Sequence, residues 1–200
     1  MMIRAEPRGS ARKVCGEVLL RIPESEECLN MLAVMQMPAH IQAHSELVCR
    51  VALLLTDGLI RAGVSLNRSL VNASALLHDI TKPRSFTTGE NHSKTGGEYV
   101  SGLGYPEVGE VIRQHVILDA YFAQAAPSEA EVVNYADKRV LHDRIVPLHD
   151  RMEYIMQRYA KTEEHRLWMR IIWDHTLELE KRLFAYLSYA PLELTEHLDD

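Results

Sequence analysis

Apolar residues recur at intervals of three and four along most of the chain, the period of helices with one buried face. Residues 39–62 carry Leu47, Val48, Val51, Leu54, Leu55 and Leu59 at that spacing, which predicts a helix stopped by Gly63. Residues 66–79 repeat the pattern with Leu70, Ala73, Leu76 and Leu77. Pro83, Thr87, Thr88, Gly89 and Asn91 then read as a loop. His92 opens a short helix that Gly102 and Gly104 end, and Pro106 suits the first position of a helix over 106–117. Ser128 with Glu131 makes a capping box for 129–142, and Pro147 interrupts or restarts the next segment, 147–160. Thr162 caps a final helix, 163–188, with Leu167, Ile171, Leu179, Leu183 and Leu187 expected on its core face. No stretch alternates as a strand would, and no domain-scale repeat or linker is present. The pattern predicts an all-α fold in a single domain over residues 1–200, with an acidic tail after Pro191 that frays.

Composition narrows the function classes. At 200 residues with 46% apolar and 25% charged side chains, the chain can bury a sizeable core. A net charge of −6 argues against a nucleic-acid groove, which needs a basic stripe, but leaves room for a small anion held by local lysines or arginines. Cys15, Cys28 and Cys49 are odd in number and form no CxxC pair, so neither a disulfide framework nor a thiolate zinc site is expected. Together with the lack of an apolar signal core or a run of membrane-spanning length, this predicts a cytoplasmic protein without membrane attachment.

Ten histidines stand out, and the chemistry gathers around "ALLHDITKPR", Ala75 to Arg84. A His-Asp pair proves little alone: three occur, and ten His with nine Asp would supply about half of one by chance. At a helix end, however, His78 and Asp79 project about 100° apart and can approach one cation or two adjacent ones. His44, His92, His115 and Asp137 lie at intervals on either side. Asp137 follows Val132, Val133, Tyr135 and Ala136, and a carboxylate in such company needs a partner or a cation. Lys82, four residues after His78, suits an anion as a mobile point charge; Arg84, Lys94 and Arg113 are weaker candidates. In "LHDRIVPLHDR" two LHDR quartets lie seven residues apart, which in a continuous helix is one face. It reads as an ion-paired surface, with Arg144 also placed to reach a distal phosphate.

These segments resemble the HD-domain superfamily of metal-dependent phosphohydrolases. "AHSELVCRVALLL" is similar to its first-histidine helix, "SALLHDITK" to its central motif and "VVNYADKRV" to its final aspartate helix. The resemblance spans about residues 38–145, with helical extensions on both sides. It implies metal ligation by His44, His78, Asp79 and Asp137, with His44 favoured over His40 one turn earlier. His92 and His115 match the subset with two metals bridged by the central Asp. Gly104-Tyr105-Pro106 is not taken as a cyclic-dinucleotide motif, because no HHE triplet accompanies it. The implied activity is cleavage of a phosphoester or phosphoanhydride of a nucleotide or small phosphorylated metabolite by metal-activated water. Asp79 and Lys82 would be catalytic; Lys82, Arg84, Arg113 and Arg144 would bind substrate. The metals would be one or two of Fe, Mn, Co or Ni, with Mg admissible. The same six ligands also resemble diiron oxygenases of the superfamily, and a non-catalytic nucleotide-sensing HD domain is a third reading. The last helix is left either to complete the core or to form a seam in a homodimer.

Overall fold

The computed structural model describes residues 20–198. Its elements are α1 (Ser25–Val34), α2 (Ala39–Arg61), α3 (Arg68–Leu77), α4 (Lys82–Thr88), α5 (His92–Gly102), α6 (Pro106–Arg113) and α7 (Glu129–Arg139). A two-residue hairpin follows, β1 (Val140–Leu141) antiparallel to β2 (Arg144–Ile145), then α8 (Leu148–Tyr159), α9 (Glu163–Phe184) and two short 3₁₀ turns. The fold is all-α, as the periodicity predicts. Cys15 lies outside the described residues; Cys28 and Cys49 are buried free thiols. Among the described residues no helix is long and apolar enough to cross a membrane.

The 23-residue α2 is the central rod, packed on α3 and α7. Its fully enclosed line is Val48, Val51, Ala52, Leu55 and Leu59, each 0% exposed. Burial of one such leucine contributes about 1.5–3 kcal/mol. His44 belongs to the same line one turn earlier, so the packing that seats the leucines also turns this imidazole inward. Gly63 ends the helix with φ +90°, while Val64 N–H and Gly63 N–H bond the Leu59 and Ile60 carbonyls at 3.0 and 2.9 Å. This is a Schellman closure, where a residue with Cβ would be strained. α5 and α6 cross at van der Waals limit: a Cβ on Gly97 would stand 2.6 Å from the Gly109 carbonyl oxygen.

Four expectations change. Residues 82–88 are helix, not loop, because Pro83 sits in the first turn, where its missing N–H costs nothing, and Gly89 in the left-handed region closes it. The helix expected to reach 117 stops at Arg113. α7 ends at Arg139 rather than 142; His142, at φ +58°, turns the chain back into the hairpin. In α9, Leu179 and Leu183 are buried and Leu187 packs against the core, but Leu167 and Ile171 are 60% and 49% exposed. The enclosed line runs through Met169, Thr176, Leu179 and Leu183, since the first half of α9 overhangs α8.

Candidate metal centre

Six side chains from four helices and two turns converge. His44 comes from α2, His78 from the C-terminal cap of α3, Asp79 from the turn after it, and His92 from the first residue of α5. His115 follows α6 and Asp137 lies in the last turn of α7. Their donor atoms form two triads, His44–His78–Asp79 and Asp79–His92–His115, joined at Asp79. Asp137 Oδ1 closes the first, 3.1 Å from His44 Nε2 and 3.7 Å from His78 Nε2. In the second, His92 Nε2 and His115 Nε2 lie 3.2 and 3.6 Å from Asp79 Oδ1.

Three imidazoles are held in one tautomer. Nδ1–H of His44 donates to the His142 carbonyl at 2.9 Å, that of His78 to Ala75 at 2.7 Å and that of His115 to Ile112 at 2.8 Å. With Nδ1 protonated, each neutral ring aims an Nε2 lone pair at a carboxylate oxygen. Acceptor facing acceptor at such distances is repulsive unless positive charge lies between them. Protonation is a poor source for His115, whose pKa burial pushes down to about 3. Burial also opposes charge on His78, but the Asp79 and Asp137 carboxylates and the Ala75 carbonyl together outweigh it and raise the pKa. Burial likewise resists ionisation of both aspartates, yet His78 and Lys82 around Asp79, and His44 with Arg151 near Asp137, hold them well below the usual carboxylate range.

The donor set fits one or two borderline divalent cations. Neighbouring ligands at about 2.1 Å from one ion are roughly 2.9–3.4 Å apart, close to the separations here. His78 Nε2 and Asp79 Oδ1 are buried and make no hydrogen bond, an arrangement that costs free energy without a ligand. The Nδ1–H···O=C bonds are the outer support that orients metal-binding imidazoles.

The cluster forms the floor of a cleft of about 580 Å³, within the range of small-molecule sites. Lys82 Nζ donates to Asp79 Oδ2 at 2.6 Å at its edge. The other predicted anion-binding residues are not in the cleft. Arg84 pairs with Glu90 at 2.6 Å on the surface, and Arg113 forks between Glu110 and Asp119. Arg144 is exposed on β2: the hairpin breaks the helix that would have aligned the two LHDR quartets. Arg151 of the second quartet is the one that reaches the site, with Nη2 3.7 Å from Asp137 Oδ1. Starting α8 at Leu148 puts Leu148 and Met152 in the core and brings Arg151 to the cleft. His40 lines the cleft but is exposed, and it belongs to neither triad.

Two supporting residues escaped the sequence reading. Asn134 Nδ2 donates to the Gln114 and His115 carbonyls at 2.9 and 3.0 Å. Lys138, one turn on, donates to the His115, Val116 and Asn134 carbonyls and to Asn134 Oδ1. The two clamp the backbone at His115 to the helix that carries Asp137. Their spacing of four was visible, but not their target, which is some twenty residues away in the chain.

Residues 41–141 match the HD domain family, a span that includes all six converging residues, and the chain belongs to that family. It is also 26% identical over 169 residues to the tRNA (cytidine(56)-2'-O)-methyltransferase of Picrophilus torridus; the match covers 78% of this chain but 46% of that protein. A crystal structure of a predicted HD superfamily hydrolase from an uncultured Thermotogales bacterium is similar at 24% identity and a TM-score of 0.47, covering 84% of this chain and 96% of the other.

Proposed function

We propose that this chain is a metal-dependent phosphohydrolase acting on a phosphoester or phosphoanhydride of a nucleotide or similar small metabolite. One observation carries the reading: two His/Asp triads, buried except at His92, share Asp79 beneath a small-molecule cleft that Lys82 and Arg151 also line. His44, His78, Asp79 and Asp137 would hold one divalent cation, and Asp79, His92 and His115 a second. Such ions supply Lewis acidity and lower the pKa of water toward neutrality. In the reaction a water oxygen bonds to phosphorus as the bond to the leaving oxygen breaks, and a proton passes to the leaving oxygen. Lys82 and Arg151 offset negative charge on the non-bridging oxygens, and the tautomer-fixing carbonyls keep the three imidazoles in place as charge redistributes. No covalent nucleophile is needed.

The test is phosphate release from a panel of nucleotides and sugar phosphates with added Mn, Fe, Co, Ni or Mg, using an Asp79→Ala protein as the blank. Metal-dependent turnover that falls at least ~100-fold in the variant is expected, since the variant removes the carboxylate common to both triads. Retained iron, dioxygen consumption and no phosphate release would replace this reading with the oxygenase one.

A further inference from the structure

The cleft has a second end, chemically unlike the first. α8 presents Arg151, Tyr154, Arg158 and Tyr159 along one line, at i, i+3, i+7 and i+8, and all four border the cavity. α9 adds Trp168, and α4 adds Phe86 one turn after Lys82. Tyr159, Trp168 and Phe86 are 52%, 45% and 68% exposed, so these rings meet solvent at the mouth instead of filling the core.

The arginines link the two ends. Arg151 lies 3.7 Å from Asp137 on one side and has its guanidinium 6.0 Å from the Tyr154 ring centre on the other. Its Nε is buried with no hydrogen-bond partner, which leaves a donor for an anion. Arg158 stands 6.0 and 5.8 Å from the Tyr154 and Tyr159 ring centres. Both α8 and α9 lie beyond residues 41–141, so all of this wall but Phe86 comes from outside the segment shared with the family.

We infer that the wall is a recognition subsite for a planar aromatic ring, the base of a nucleotide, stacked by Tyr159 and Trp168, while Arg151 holds its phosphate side. Exposed aromatic faces flanked by guanidinium groups take up flat π-systems of any base, and do little for a sugar alone. Placement of the phosphate rests on the phosphohydrolase reading; the ring subsite does not.

The test uses the full chain with Trp173→Phe, which leaves Trp168 as its tryptophan signal. It is titrated with the phosphonate analogue of adenosine 5′-phosphate, whose P–C bond resists hydrolysis, and with ribose 5-phosphate. Saturable quenching by the analogue, with ribose 5-phosphate roughly 5- to 100-fold weaker, is expected from the contribution of base stacking. Tyr159→Ala and Trp168→Ala, both at exposed positions, should weaken the analogue by a similar factor in calorimetry and leave ribose 5-phosphate unchanged. Equal binding of the two ligands, or no loss in either variant, overturns the subsite. If phosphate is released equally from ribose 5-phosphate and nucleotide and neither variant changes this, the subsite fails while the hydrolase reading stands. Quenching of Trp168 without any phosphate release leaves the subsite standing and removes the hydrolase.

Discussion

Cys28 and Cys49 show what enclosure does to a single side chain. Both thiols are buried, and burial pushes their pKa values up to about 12 and about 11. Unfolded thiols lose their protons near pH 8.5. Between about pH 9 and 11 the native state therefore binds more protons than the unfolded state, and stability falls as pH rises. The urea midpoint of the wild type should drop from pH 8 to 10.5 more steeply than that of a Cys28→Ala/Cys49→Ala protein; parallel slopes would exclude the effect. At the centre the same physics works through pairing. Burial alone would neutralise Asp79 and Asp137, and only the nearby cations and imidazoles keep them ionised.

Helix ends, more than helix middles, position the chemistry. His78 caps α3, His92 is the first residue of α5 and His115 follows α6. The cap before His92 is Asn91, whose Oδ1 accepts from Ser93 N–H at 3.1 Å and Lys94 N–H at 3.2 Å. Asn91→Ala should cost about 1 kcal/mol of stability. Because His92 is the residue released, the variant should also lose metal from the second triad before the first. Thermal unfolding and metal analysis after dialysis would check this; unchanged stoichiometry would show that the Asn91 cap is not what positions His92.

At the scale of the molecule, the two triads tie together helices that are far apart in sequence, from α2 to α7. A cation bound there by the native state alone adds stability by mass action, about 4 kcal/mol when its concentration is a thousand times Kd. Chelation should therefore lower the melting temperature of the wild type by several degrees. The Asp79→Ala protein should show little response. A wild type that melts identically with and without chelator would mean that the six residues hold no structural cation.

The sequence by itself determined most of the helices and singled out the six side chains that converge. A 3.6-residue period is local, and it placed α2, α3, α5, α8 and most of α7 within a few residues. The ordered set His44, His78, Asp79, His92, His115 and Asp137 was legible through the resemblance of the segments that carry it, and the structure gathers all six. Tertiary structure decided the rest. Whether Arg144 or Arg151 meets the cleft depended on a two-residue hairpin and a single left-handed residue, His142, which leave no trace in apolar periodicity. Trp168 borders the cleft because α9 packs against α8, a contact between helices that apolar periodicity does not mark. The Asn134–Lys138 clamp on His115 acts through backbone carbonyls, which every residue carries and no sequence pattern marks.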